Sequence, residues 1–204
     1  RGSIFVDGIK VEKGREKELF KEKLAMLPQN PQALFTEITV QEELLEALNN
    51  KKSTDIEKIE MIESMLKLME LEDLRKAHPY DLSGGEQQRL AIGKILLLKP
   101  KIILMDEVTK GLDPFFKKTL AKILRSLVEK GVTIYMVSHD IEFCAEYADR
   151  CAMFFDGDII STGTPRDFFS GNSFYTTESN RIARDWFPEA ITYEEVSKCL
   201  KATM

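Results

Sequence analysis

The chain has 204 residues, 43% hydrophobic and 31% charged, which is enough apolar material to bury a core and too much for a disordered chain. Its 29 basic and 34 acidic residues leave a net charge of −5, without the basic footprint of a dedicated nucleic-acid binder. The longest apolar run, Ala91–Met105, is broken by Lys94, Lys99, Pro100 and Lys101, so it falls short of the roughly 18 residues a membrane span needs. No charged-then-apolar leader stands before Ser3. Cys144, Cys151 and Cys199 show no CxxC spacing and read as small apolar residues in a reducing compartment.

Ser3-Ile4-Phe5-Val6-Asp7-Gly8 predicts a strand that ends in a turn, and the charge-rich Val11–Lys23 a loop followed by a short helix. Leu24–Leu27 predicts a buried strand, stopped by Pro28 and Pro31. Val40, Leu44, Leu45 and Leu48 have helical spacing. Thr54 and Glu57 make a capping-box pattern at the head of a second helix, with Ile56, Ile59, Ile62, Met65 and Met69 expected on its core stripe.

Beyond Pro100 the pattern alternates. Ile102–Met105 has the length and character of a strand. Asp113-Pro114 starts a helix that is expected to carry Phe116, Leu120, Ile123, Leu124, Leu127 and Val128 inward and to stop at Gly131. Val132–Val137 predicts a buried strand, Ile141–Tyr147 a helix and Cys151–Phe155 a third strand. Such alternation predicts an α/β fold with a parallel sheet. The Thr39–Leu98 stretch is all-helical and reads as an insertion. The tail from Thr164 ends in a helix at Tyr193–Leu200. The expected division is therefore 1–38, start of the core; 39–98, helical subdomain; 99–163, remainder of the core; and 164–204, helical tail.

The strongest chemical signal is Leu82-Ser83-Gly84-Gly85-Glu86-Gln87-Gln88-Arg89. Ser83 and Glu86 stand in capping-box relation, so Ser83 is the natural N-cap of a helix. Two glycines at that helix start leave backbone N–H groups open to an anion, where the helix dipole adds about half a positive charge. Asp106 and Glu107 close a strand at its carboxyl end, where ligands sit in open α/β sheets. One carboxylate there can hold Mg²⁺ through its water shell, and the next can orient or deprotonate a water. Thr109-Lys110-Gly111-Leu112-Asp113 follows as a loop that ends on a helix N-cap. His139 closes the Val132–Ser138 run and Gln29 follows the Leu24–Leu27 strand, so both belong to the same sheet edge.

In this order, these residues resemble the nucleotide-binding domain of ABC ATPases. Gln29 matches the Q-loop and Leu82–Gln88 the signature. Asp106 and Glu107 match the Walker B pair, Leu112-Asp113 the D-loop, and His139 the switch histidine. The resemblance implies a P-loop NTPase-like core, ATP as substrate with Mg²⁺, and a second ABC ATPase domain bound head to tail. It gives Glu107 and His139 catalytic roles, and Asp106 and Gln29 the metal. Ser83, Gly84, Gly85 and Glu86 would contact the partner's nucleotide, while Leu112 and Asp113 meet that partner. Within the family, Gln29-Asn30-Pro31, Phe35 and Thr39-Val40-Gln41-Glu42-Glu43-Leu44 look like the ATPases of energy-coupling-factor importers of vitamins or metal ions. The tail Gly163–Tyr175 is similar to the second half of tandem-fused members. The implied place is the cytoplasmic face of a membrane, bound to a transmembrane subunit through the Gln29–Leu48 region. A soluble ABC ATPase of translation or DNA repair, and a non-catalytic regulatory dimerisation module, are the alternatives.

Two departures stand out. Val108 occupies the position where the family has proline. No GxxxxGK[ST] occurs, the only Gly-Lys pair being Gly93-Lys94, followed by Ile95. The chain is therefore expected to begin after the phosphate loop and, alone, not to turn over ATP. In the fold it resembles, the phosphate-loop strand lies between those matching Val132–Val137 and Cys151–Phe155, and that slot is expected to be filled by protein rather than closed.

Overall fold

The computed structural model describes residues 3–6, 8–14, 23–49, 51–171 and 175–203. The helix expected within Val11–Lys23 falls largely outside them. The chain divides into two compact units, Arg1–Val137 and Ser138–Met204.

The first unit opens with a small antiparallel pair, β1 (Phe5–Val6) and β2 (Ile9–Lys10). Its centre is a parallel sheet of β3 (Leu24–Leu27), β4 (Ile102–Asp106) and β5 (Thr133–Val137), in the order β3-β4-β5. Leu24 pairs with Ile102 and Leu27 with Met105, while Ile102 pairs with Thr133 and Asp106 with Val137. Side chains alternate across a sheet. Ala25, Leu27, Ile103 and Met105 make up one face and are all buried. The opposite face is open at Met26, Tyr135 (61% exposed) and Val137 (51%). The expectation that Val132–Val137 is a buried strand is thus corrected: among the described residues only one face of β5 has a cover.

Between β3 and β4 run three helices: α1 (Val40–Glu46), α2 (Asp55–Leu68) and α3 (Gly84–Leu98). Each opens on a complete capping box, Thr39 with Glu42, Thr54 with Glu57, and Ser83 with Glu86. In each, the cap side chain accepts from the third backbone N–H and the glutamate accepts from the cap's own N–H. α2 meets α3 at Gly93, where an added Cβ would lie 3.0 Å from Met69 Cγ and 3.2 Å from Met65 Cγ. That contact fixes which face of α2 is inward: Ile62, Leu66 and Met69 are buried, whereas Ile56 (71%) and Ile59 (58%) are exposed. The stripe expected from Ile56 onward therefore starts two turns later. α3 ends at Lys99, left-handed at φ 53°, ahead of the buried Pro100.

α4 (Pro114–Glu129) follows β4, with Asp113 as its N-cap and Pro114 at its first position. Phe116, Leu120 and Leu124 are buried, but Val128, in the last turn, is exposed rather than inward. Gly131 at φ 85° turns the chain into β5.

The second unit holds α5 (Ile141–Tyr147), the strands β6 (Cys151–Phe155) and β7 (Asp158–Gly163), α6 (Pro165–Ser170), α7 (Glu178–Ala183) and α8 (Tyr193–Thr203). Cys151–Phe155 is a strand as expected, but it pairs antiparallel with β7 instead of joining the parallel sheet. The pairing with β7 is set locally and uses one edge of β6: Asp156 and Gly157 both have positive φ, 49° and 89°, which is the two-residue hairpin geometry that an Asp-Gly pair favours. Among the described residues β5 pairs with β4 alone and β6 with β7 alone. The core of this unit is small: Ala145, Cys151, Phe169 and Ile191, flanked by Ile141, Cys144, Ala148 and Phe168. No described helix is long and apolar enough to cross a membrane.

Candidate functional site

Parallel pairing puts the carboxyl ends of β3 and β4 side by side. Leu27 lies opposite Met105, so Gln29 and Asp106-Glu107 leave the sheet at the same end. Gln29 is exposed and Asp106 and Glu107 are half-buried. Glu107 departs from β4 in the left-handed region, φ 53°, and its N–H donates to the Val137 carbonyl of β5 at 2.9 Å. A residue other than glycine adopts that backbone only under constraint, here the bond to β5 and the fully buried Val108 beside it.

The segment after Glu107 is a tight loop. Lys110 N–H donates to the Glu107 carbonyl at 3.1 Å, and Leu112 N–H to that of Thr109 at 3.3 Å. Thr109 and Leu112 are buried. Asp113 Oδ1 accepts from Phe115 N–H at 2.9 Å and Phe116 N–H at 3.0 Å, which caps α4. The Phe116 N–H, with the other cap bonds, holds the Asp113 carboxyl below its ordinary value.

Ser83 and Gly84 are exposed at the head of α3, with Gly85 and Glu86 half-buried behind them. Hydrogen bonds from Ser83 hold the Glu86 carboxyl below its ordinary value, so it stays anionic as a cap acceptor. One turn on, Gln87 is buried and uses both ends of its amide. Its Nε2 donates to the carbonyls of Pro79 and Leu82 at 3.2 Å each, and its Oε1 accepts from Gln32 Nε2 at 3.2 Å. Gln32 sits in the single 3₁₀ turn Pro31–Leu34 that follows Gln29.

Deeper in α3, Lys94 is almost buried. Its ammonium donates to Glu43 Oε2 at 2.5 Å, to the Leu34 carbonyl at 2.7 Å, and pairs with Glu46 at 3.1 Å. Glu43 is 0% exposed, and its other oxygen accepts from the N–H groups of Thr36 and Glu37. The Gln29 loop, α1 and α3 are tied together here. A lone lysine inside an apolar helical run is the trace this leaves in the sequence. Gln32, Glu43 and Gln87 leave no comparable one.

His139 lies in the second unit, two residues past the end of β5, where its carbonyl accepts from Ile141 N–H at 3.0 Å just ahead of α5. The first unit brings together Gln29, Asp106 and Glu107 at one sheet end, and Gly85 with the loop that ends at Leu112 and Asp113. Among the described residues no group of three or more His, Cys, Asp or Glu forms a metal cage. One strand-end carboxylate beside a side-chain amide is the sparse oxygen set that suits Mg²⁺, which keeps waters and takes its remaining ligands from phosphates.

A family profile described as ABC transporter matches residues 1–110. An ABC transporter ATP-binding protein of Bacillus anthracis is 42% identical over 204 residues, all of this chain and 36% of that protein. The energy-coupling factor transporter ATP-binding protein of Latilactobacillus sakei is 32% identical over 163 residues, 79% of this chain and 56% of that one. The chain thus spans about a third to a little over half of these relatives' lengths. Among solved structures, cbiO1 of Clostridium perfringens, part of the transporter complex cbiONQ, superposes with a TM-score of 0.71 at 26% identity, covering 92% of this chain and 74% of that one. The dimeric ATP-binding cassette MJ0796, bound to ADP and phosphate, gives 0.72 at 27% identity, covering 81% and 74%.

Proposed function

This chain belongs to the ABC transporter family, and from that premise we propose that it is the greater part of an ATPase domain that powers a membrane importer of vitamins or transition-metal ions. What supports the reading most is the shared sheet end of Gln29, Asp106 and Glu107. In an intact protein the nucleotide phosphates are held by a GxxxxGK[ST] loop, a pattern these 204 residues lack. This chain alone therefore does not turn over ATP.

Asp106 and Gln29 would hold Mg²⁺, which neutralises phosphate charge when bound. Glu107 would accept the proton of the attacking water, and the backbone bond to Val137 with its left-handed φ fixes where its side chain leaves the end of β4. By its resemblance to the switch histidine, His139 would be the residue that contacts the terminal phosphate. Gly84 and Gly85 would offer backbone N–H groups, and Ser83 its hydroxyl, to the nucleotide held by a second domain, while Glu86, which accepts the Ser83 N–H, fixes their helix start; the loop of Leu112 and Asp113 would meet that domain. The Gln29–Leu48 region meets the transmembrane subunit. The energy-coupling factor relative and the transporter complex containing cbiO1 support the importer assignment.

The experiment is Glu107→Gln in the intact protein. The amide keeps the shape but takes no proton, so hydrolysis is expected to fall about 10²–10⁴-fold with nucleotide binding nearly unchanged. Hydrolysis near the parental rate would refute the role of Glu107. Recovery of the intact protein with a transmembrane subunit from solubilised membranes supports the importer. Recovery with ribosomes or DNA instead moves the reading to a soluble ATPase.

A further inference from the structure

Gly84 and Gly85 are indistinguishable in the sequence, where both serve to bare the helix start. The structure separates them. A Cβ built on Gly84 meets nothing within 4 Å, whereas one on Gly85 would lie 2.7 Å from the carbonyl oxygen of Gly111. No real Cβ sits that close to a backbone oxygen, so one of the two segments must move. Gly111 has no side chain to rotate away, so the clash would fall on backbone. The loop is pinned on both sides of the contact by buried Val108, Thr109 and Leu112. It is pinned further on by Arg89 of α3, whose guanidinium lies 5.3 Å from the ring centre of Phe116, in the first turn of the helix that Asp113 caps.

We infer that Gly85 is a positioning residue for the Lys110–Asp113 loop of its own chain: its missing side chain lets the head of α3 seat directly on Gly111. The head of α3 and the loop leading from Glu107 to Asp113 then move as one piece, with no nucleotide or second domain required. The consequence for hydrolysis rests on the proposed ATPase role, but the coupling itself does not.

The test is amide hydrogen exchange on the full 204-residue chain without nucleotide, comparing Gly85→Ala with Gly84→Ala. Gly85→Ala is expected to speed exchange at Lys110, Leu112, Phe115 and Phe116 about tenfold or more. Gly84→Ala is expected to leave those amides within about twofold of the parent. Equal responses to the two substitutions, or none, would overturn the inference. Should Gly85→Ala not fold, native-state exchange of the unsubstituted chain decides instead. The amides of Gln87 and of Lys110 and Leu112 must then open together across a denaturant series, and separate openings refute the coupling. In the intact protein, Gly85→Ala should lower kcat for ATP about tenfold while KM stays within about twofold. An unchanged kcat would refute the positioning role. Absence of hydrolysis in the unsubstituted intact protein would overturn the ATPase reading, with the exchange comparison still deciding this one.

Discussion

The helical layer of the first unit and the short helices of the second both bury polar side chains, but with opposite chemistry. In the first, a fully charged pair, Lys94 and Glu43, is sunk between α1 and α3 and completed by the Leu34 carbonyl and the N–H groups of Thr36 and Glu37. In the second the groups are neutral. Asn180 Nδ2 donates to the carbonyls of Pro188 and Ala190 at 2.9 and 3.0 Å, and its Oδ1 accepts from Thr176 Oγ1 at 2.9 Å. Thr177 Oγ1 donates to the Ile191 carbonyl at 2.6 Å. The charged cluster joins elements far apart in sequence, where a strong bond with one geometry selects a single docking of the Gln29 loop. The neutral cluster knits residues within about fifteen positions, where little apolar core is available and the turns must be satisfied one by one. Burying charge is costly, and it persists here because every partner is present.

Breaking the charged cluster should give the largest effect. Lys94→Met leaves Glu43 buried with two N–H bonds but no counter-ion, and is expected to cost about 3–5 kcal/mol in a urea melt followed by circular dichroism. Glu43→Gln, which keeps an acceptor for Thr36 and Glu37, should cost less. If Lys94→Met proved as mild as a surface change, the cluster would not select the loop's docking at all.

Next comes Asn180→Ala, which removes the donor to the Pro188 and Ala190 carbonyls but leaves the Thr176 hydroxyl on the Phe169 carbonyl at 2.7 Å, and should cost about 2–3 kcal/mol, read from the melting of the second unit. Asn180→Asp should be no better, because it turns acceptors toward the Pro188 and Ala190 carbonyls. A result above that for Lys94→Met would reverse the ranking of the two regions.

A smaller effect belongs to the helix caps. Asp113→Ala removes the cap of α4 and is expected to lower the thermal midpoint by less than Asn180→Ala does. Because the folded carboxyl is held below its ordinary value, Asp113 stabilises the fold fully above the free aspartate range. That contribution is lost as pH falls from about 4 downward through the folded value. The difference in thermal midpoint between the parent and Asp113→Ala should therefore be constant near neutral pH and shrink on acidification. The smallest change is Arg75→Ala. Its pair with Glu63, 2.5 Å apart, is partly exposed at both ends, so the midpoint of the urea melt is expected to stay close to that of the parent.

Local signals in the sequence were reliable guides wherever a helix start carried its own chemistry. Thr54 with Glu57, Ser83 with Glu86, and Asp113 before Pro114 each open a helix at the expected residue. The strands that lead to Gln29 and to Asp106 and Glu107 were equally legible, since apolar runs of four or five residues ending in polar groups admit few other readings. What depended on neighbours was not. Ile56 and Ile59 satisfy helical periodicity but lie beyond the reach of Gly93, so their side chains face water. Cys151–Phe155 is the strand its apolar run predicts, but its antiparallel pairing with Asp158–Gly163 comes from the Asp156-Gly157 turn and not from that run. The different duties of Gly84 and Gly85 become visible only when Gly111 arrives from another part of the chain.

The pairing of β3 with β4 joins position 24 to position 102, with all three capped helices lying between. Such a contact closes a very long loop, and the entropy of closure is met before the sheet returns any of it. During synthesis at about 5–20 residues per second, β3 waits on the order of 4–16 s before its partner strand emerges. The capped helices have no such delay, since each is nucleated by residues three apart. A pulse of hydrogen exchange during refolding is accordingly expected to find the amides of α2 and α3 protected before those of the β3–β4 ladder.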